Sequence, residues 1–110
     1  MPPPEGTLSP MRTASRALLS SDEAAAVAAG LPAWRFTPDG RTLERLVDCG
    51  SFAEAIAFVG RVALLAEAVG HEPELDVRGP IVRVSLSTRA AGGVTSLDAD
   101  LADWIERVAP

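Results

Sequence analysis

The chain has 110 residues, a length that suits one domain whose core needs neither disulfides nor a metal. Its net charge of −5 argues against nonspecific binding to nucleic acid or to anionic membranes. Cys49 is the single cysteine, which excludes an internal disulfide, and one cysteine with one histidine is too few ligands for a Cys/His zinc site. We therefore expect no metal and no direct nucleic-acid partner.

The first residues, 1–17, have the composition of a disordered leader, with Pro2, Pro3 and Pro4 followed by scattered arginines. They lack the apolar stretch of about 7–15 residues that a signal peptide contains. No apolar run in the chain approaches the roughly 18 residues of a membrane span. We therefore expect a cytoplasmic protein without a membrane partner, with its domain in residues 18–110. Met11 is an alternative start to Met1.

The first half of the domain is predicted to contain one helix and one hairpin. Ser20 and Glu23 form a capping box, and Gly30 supplies a C-terminal stop, so the pattern predicts a helix over residues 20–29. Apolar side chains then alternate on both sides of a Pro-Asp-Gly turn. This alternation predicts two paired strands over residues 33–37 and 42–48.

A long apolar helix is predicted over residues 51–70, with Ser51 and Glu54 as a second capping box. Apolar side chains form a stripe along one side, and Phe58, Leu64, Leu65 and Ala68 cover the other. A helix that is apolar nearly all round is buried on more than one side. In a chain this short we expect the second partner to be another subunit; the alternative is a deep central helix in a monomer. On the first interpretation, Phe58→Asp should weaken assembly.

Two more strands and a helix complete the domain. Strands are predicted over residues 75–78 and 81–88, joined by a Gly-Pro connection, and a last helix begins at Thr95 or Ser96 and ends at Val108. The order is therefore α-β-β-α-β-β-α. Hairpins separated by a helix predict an α+β fold, in which three helices pack on one face of a four-stranded antiparallel sheet.

The only histidine, His71, follows the end of the long helix and stands near two carboxylates, Glu67 and Glu72. A histidine in such a setting can act as an acid/base centre, since imidazole changes charge near neutral pH. The alternative is a structural or surface histidine.

Residues 18–108 resemble the pterin-4a-carbinolamine dehydratases, also called 4a-hydroxytetrahydrobiopterin dehydratases. No gap is needed from Ala66 to Arg89. The segments that carry the resemblance are Gly30-Leu31-Pro32-Ala33-Trp34, Ser51-Phe52-Ala53-Glu54-Ala55, Ala66-Glu67, His71-Glu72-Pro73, Asp76-Val77-Arg78, Leu86-Ser87-Thr88, Gly92-Gly93-Val94-Thr95 and Asp98. The resemblance implies a homodimer or homotetramer.

The family's active-site pattern is a Glu or similar residue, three residues, His-His-Pro, an aromatic, another His and an Asp. Four positions match it: Glu67, His71, Pro73 and Asp98. Three depart from it: Glu72 stands in place of the second histidine, Gly79 in place of the aromatic and Arg89 in place of the third histidine. The change at Gly79 removes a ring that could stack on a flat substrate.

The resemblance implies a lyase of tetrahydrobiopterin metabolism. It expels water from a 4a-hydroxytetrahydropterin, its small-molecule substrate, to give the quinonoid dihydropterin, and needs no cofactor. The catalytic residues are then expected to be His71 as acid/base, Glu67 as the group that orients it, and Glu72 as a second proton carrier. The expected substrate-binding residues are Pro73, Arg89 and Asp98. Arg89 cannot transfer a proton because its guanidinium stays protonated.

The departures leave a second function open: a catalytically silent scaffold or assembly factor. The family resembles transcriptional dimerisation cofactors, and a related branch that assists Rubisco assembly lacks the catalytic histidines. Loss of one acid/base group costs roughly 10²–10⁴ in rate, so an enzyme here is expected to be weakened. An enzyme predicts that Glu72 and Arg89 line a pocket with His71. A scaffold predicts that they are exposed or paired with each other.

Overall fold

The structure, a computed structural model, describes residues 17–110. The leader predicted over residues 1–17 lies outside this range except for Ala17. The described elements, in chain order, are α1 (Ser21–Gly30), β1 (Arg35–Phe36), β2 (Leu43–Asp48), α2 (Phe52–Val69), β3 (Glu74–Arg78), β4 (Ile81–Leu86), a 3-10 turn (Arg89–Ala91) and α3 (Ser96–Glu106). Each α-helix and β-strand begins and ends within two residues of its predicted bounds, and the 3-10 turn was not predicted.

The four strands form one sheet in the order β1-β2-β4-β3, and every neighbouring pair is antiparallel. Side chains alternate between the two faces of each strand. On β4, Val82, Val84 and Leu86 are buried, whereas Arg83 and Ser87 between and after them are exposed. One face of the sheet therefore carries the core and the other faces outward, which confirms the predicted α+β architecture.

Helices α2 and α3 cover the core face of the sheet. From α3, Leu101 and Ile105 are fully buried. Near the end of α3, Glu106 Oε1 accepts hydrogen bonds from the indole of Trp34 and the guanidinium of Arg45 on β2, which ties the helix to the sheet. Helix α1 has no buried residue, and only Val27 and Ala24 are half-buried. It lies at the rim, beside the outer turns of α3.

The two sides of α2 are apolar, as predicted, but the prediction for Phe58 was wrong. Phe58 is fully buried beneath α2, and Ala55, Val62 and Ala66 accompany it into the core. The exposed apolar side chains are instead Phe52 at 61%, Ile56 at 48% and Leu64 at 73% exposure. Because Asp at Phe58 would place a carboxylate in the core, Phe58→Asp would unfold the protein and cannot test its assembly.

Helix caps set the positions where the chain turns toward the site. Helix α2 ends at Gly70, whose φ of 71° is left-handed, and the amides of Gly70 and His71 both donate to the Ala66 carbonyl. Helix α3 begins with the reciprocal capping box of Thr95 and Asp98. The box predicted at Ser51 is only half formed, since Ser51 accepts from the Glu54 amide without a return bond.

None of the helices within residues 17–110 has both the length and the apolar character needed to cross a membrane.

Candidate active site

His71 lies where the chain leaves α2 and turns into β3, and its ring reaches the start of α3. Its Nε2 atom is 2.5 Å from Asp98 Oδ1. The His71 side chain is 12% exposed and that of Asp98 is fully buried. A carboxylate only accepts hydrogen bonds, so the ring proton sits on Nε2. The contact that orients the imidazole therefore comes from Asp98.

The second nitrogen of the ring, Nδ1, is open. Among residues 17–110 it has no hydrogen-bond partner, and no unpaired side-chain nitrogen or oxygen in that range is fully buried. A neutral imidazole with its proton on Nε2 has a lone pair on Nδ1. His71 thus offers one basic nitrogen to the surface while the other is held from beneath, the arrangement a general base needs.

A buried hydroxyl network holds the other side of the Asp98 carboxylate. Oδ2 accepts from the Thr88 hydroxyl at 2.8 Å and from the Thr95 amide at 2.9 Å. The hydroxyl oxygens of Thr88 and Thr95 are 2.7 Å apart. The loop after β4 folds back on itself, with the Thr88 amide bonded to the Gly93 carbonyl, and this brings the two threonines together.

An open cleft of about 530 Å³ adjoins His71. It lies at the open end of the β3–β4 hairpin, where Glu74 and Ser85 are register partners on the outer face of the sheet. The lining residues come from the start of β3, the end of β4 and the chain next to them: His71, Glu72, Glu74, Ser85, Ser87, Thr88, Arg89 and Ala90. The cleft therefore combines an imidazole, two carboxylates, a guanidinium and hydroxyl groups.

Glu72 and Arg89 both line this cleft with His71, as the enzyme hypothesis predicts. Both are also exposed, and within the described part of the chain no ion pair joins them. The coupled Glu72–Arg89 pair that would block proton transfer is thus not formed in this structure.

The other predicted site residues are placed differently. Glu67 is exposed and lies in a separate depression of about 340 Å³ behind His71, without a hydrogen bond to its ring. Pro73 is half-buried and is absent from the lining of both depressions. Asp98, expected to bind substrate, is fully buried, so its carboxylate supports His71 and does not face the cleft.

Gly79 lies at the far end of the hairpin from the cleft. It has a φ of +57° in the turn between β3 and β4, a conformation that side-chain-bearing residues rarely adopt. Residues 72–78 separate it from His71, and the five of them that form β3 alone span roughly 16 Å at about 3.3 Å per residue. The expectation that Gly79 removes a stacking group from this site is therefore wrong for the single chain.

Four polar residues of the site were not singled out from the sequence: Glu74, Ser85, Ser87 and Thr88. Ser85 and Ser87 belong to the polar side of the strand predicted over residues 81–88, so the alternation that predicts this strand also marks them as outward-facing, whereas Glu74 lies one residue before the strand predicted over residues 75–78. Thr88 falls on the inward side of the strand predicted over residues 81–88, where alternation does not distinguish a threonine of the site from an ordinary core residue.

Within residues 17–110, no group of three or more His, Cys, Asp and Glu side chains is arranged to hold a metal ion.

Comparison with known proteins places the chain in one family. Residues 17–108 match the family model described as pterin 4 alpha carbinolamine dehydratase. A protein of Nocardia farcinica, provisionally named pterin-4-alpha-carbinolamine dehydratase, is 45% identical over 84% of this chain and 95% of its own length. A protein of Roseiflexus castenholzii with the same provisional name is 44% identical over 84% of this chain and 97% of its own.

A solved structure has the same fold. The crystal structure of a transcriptional coactivator/pterin dehydratase from Brucella melitensis superimposes with a TM-score of 0.79. It is 28% identical to this chain and the match covers 84% of this chain and 98% of the other.

Proposed function

This chain belongs to the pterin-4-alpha-carbinolamine dehydratase family, and we propose that it is a lyase that dehydrates a 4a-hydroxytetrahydropterin to the quinonoid dihydropterin. One observation carries the proposal: His71 lines a cleft, its Nε2 lies on the buried carboxylate of Asp98, and its Nδ1 has no hydrogen-bond partner among the described residues. A histidine that only filled space would not need a buried carboxylate beneath it, since burying a carboxylate is costly unless its oxygens are all hydrogen-bonded.

The reaction requires two proton transfers. The bond between C4a and the hydroxyl oxygen breaks, the proton on ring N5 is removed, and a double bond forms between C4a and N5. The departing hydroxyl takes up a proton and leaves as water. His71 Nδ1 serves as the base for N5, and the imidazolium that forms is stabilised by the Asp98 carboxylate.

The second transfer falls to Glu72 or to water. Glu72 lines the cleft beside His71 and is the adjacent residue in sequence, so it can carry a proton to the same substrate. Imidazole is better suited to this role, because histidine is the side chain that ordinarily changes charge near neutral pH. Arg89 cannot transfer a proton, so its role in this proposal is to bind the substrate. We therefore propose an activity below that of a member with three histidines.

The chemistry of the cleft suits a pterin. A pterin presents amino and ring N–H donors along one edge, and Glu72 and Glu74 supply carboxylate acceptors near His71. Ser85 and Ser87 add hydroxyl groups that both donate and accept. The volume of about 530 Å³ lies within the usual range for small-molecule sites. Pterin is the substrate, and the proposed reaction uses no cofactor.

We also propose that the protein acts in the cytoplasm as a homodimer or homotetramer. Phe52, Ile56 and Leu64 form an exposed apolar side on α2. A second copy of the chain would remove this surface from water, which would stabilise the assembly by about 25 cal/mol per Å² of apolar area.

A second candidate function is a scaffold without catalysis. Two observations favour it: Glu72 and Arg89 occupy the cleft where the family has histidines, and the Brucella melitensis relative carries the words transcriptional coactivator in its name. On this proposal the apolar side of α2 would serve assembly, and the cleft would be a remnant.

The deciding experiment is stopped-flow dehydration of freshly generated 4a-hydroxytetrahydropterin, with wild type and His71→Ala compared at equal concentration. We expect wild type to react faster than buffer alone, and His71→Ala to lower the enzymatic rate by a factor of roughly 10²–10⁴. Circular dichroism of both proteins serves as the folding control. A wild-type rate equal to that of buffer would exclude the enzyme and leave the scaffold.

A further inference from the structure

The hydroxyl of Thr88 has a larger part in the site than its place after β4 indicates. Its side chain is 3% exposed, and it bonds to Asp98 Oδ2, on the opposite side of the carboxylate from His71. Thr95 is fully buried and contacts both Thr88 and Asp98. All three polar side chains beneath His71 are thus shielded from water.

Proton counting fixes the direction of every bond in this network. The Thr95 amide and the Thr88 hydroxyl both donate to Asp98 Oδ2. A threonine hydroxyl has one proton, so Thr88 accepts at its oxygen from the Thr95 hydroxyl 2.7 Å away. The Thr95 oxygen in turn accepts from the Leu97 amide at 3.3 Å. The donors therefore run in one direction and end on the carboxylate that holds His71.

We propose that Thr88 is a positioning residue of the dehydratase site: its hydroxyl holds the Asp98 carboxylate so that Oδ1 keeps the His71 proton on Nε2 and leaves Nδ1 toward the cleft. The proposal rests on the proposed function for its catalytic meaning. The competing explanation is structural, in which Thr88 only closes the loop before α3 and helps to cap that helix.

The lone histidine makes the proposal measurable without substrate. In protein labelled with ¹⁵N on histidine, and free of tag histidines, the spectrum contains one imidazole. At a pH where a titration finds that ring neutral, we expect wild type to have its proton on Nε2, with slow exchange of that proton with water. A proton on Nδ1 in wild type would overturn the proposal. This measurement needs only the wild-type protein, so it does not depend on whether a variant folds.

Three variants separate positioning from structure. Thr88→Val keeps the shape and removes the hydroxyl, Thr88→Ser keeps the hydroxyl, and Ser51→Ala removes the cap of α2 far from the network. We expect Thr88→Val to speed exchange of the Nε2 proton at least about tenfold, and Thr88→Ser to restore the slow exchange. Ser51→Ala should leave the exchange unchanged although it also destabilises the fold. An effect of Thr88→Val no larger than that of Ser51→Ala would overturn the proposal.

Kinetics then connect the network to catalysis. We expect Thr88→Val to lower kcat by roughly 10–100-fold, the loss typical when a group that orients a functional side chain is removed. KM should change by less than about 3-fold. If Thr88→Val does not fold, Thr88→Ala replaces it in both measurements. A wild type without dehydratase activity but with the predicted exchange behaviour would refute the proposed function while leaving the positioning by Thr88 in place.

Discussion

The buried half of the site and its exposed half have diverged differently from the family pattern. Beneath the cleft, His71, Asp98 and Thr88 form a hydrogen-bonded network in which no side chain is more than 12% exposed. At the mouth, Glu72 and Arg89 are exposed, and both depart from the pattern. A substitution in the network would leave a buried polar group unpaired, at a cost of about 1–3 kcal/mol in stability. Substitution of an exposed side chain usually changes stability very little. Such a site can therefore lose proton carriers at its mouth and retain its fold.

The largest expected effect is that of Asp98→Asn, which breaks the buried half. Three donors point at the Asp98 oxygens, and an amide has only one oxygen to receive them. The NH₂ group of the asparagine would therefore face one of these donors. If it faced His71, the imidazole proton would move from Nε2 to Nδ1, and Nδ1 could no longer accept a proton as the base. We expect the dehydration rate to fall by about 10³–10⁴, comparable with the loss from the same change beneath a catalytic histidine in a serine protease.

Glu67→Gln is the matched control for Asp98→Asn. It makes the same carboxylate-to-amide change on a residue near His71 that is exposed and does not bond to the ring. An exposed change of this kind is worth at most about 0.5 kcal/mol, or roughly 2-fold in rate. Equal losses in the two variants, measured in the same stopped-flow assay, would contradict the distinction between buried and exposed halves and restore an orienting role to Glu67.

A smaller effect, of opposite sign, is expected at the mouth. The double variant Glu72→His with Arg89→His supplies two groups that titrate near neutral pH in the cleft beside His71. We expect the dehydration rate to rise by up to about 10², the lower end of what general acid–base catalysis contributes. Because both positions are exposed, the free energy of unfolding should change by less than about 1 kcal/mol in total. An unchanged rate would show that the departures at Glu72 and Arg89 do not limit the proposed activity.

The smallest effect on stability is expected on the exposed side of α2, the helix that leads into the site. Leu64 is 73% exposed, so Leu64→Asp should change the free energy of unfolding by no more than about 0.5 kcal/mol. If a second copy covers this side, the variant should sediment as a smaller species than wild type. Leu46→Asp, on the outer face of the sheet at 59% exposure, is the control. If Leu46→Asp caused dissociation and Leu64→Asp did not, the contact between subunits would lie on the outer face of the sheet and not on α2.

The sequence by itself determined the order of elements, the antiparallel hairpins and the helix caps. These features are set by neighbours a few positions apart: alternation in β4, the Ser20–Glu23 box before α1, and the cap at Thr95 before α3. The same local pattern marked His71 as the candidate acid/base, since a lone histidine after a helix beside acidic residues is visible without a fold.

Only the tertiary structure decided which groups meet. His71 and Asp98 are 27 positions apart, and their contact depends on how α2 and α3 pack on the sheet. The same packing turned Phe58 inward and Leu64 outward, although both are apolar residues of one helix. It also buried the Thr88 hydroxyl and put the length of β3 between Gly79 and the cleft. Residue type and spacing do not determine such contacts, because the choice between the faces of an apolar helix depends on the distant elements that bury its surface.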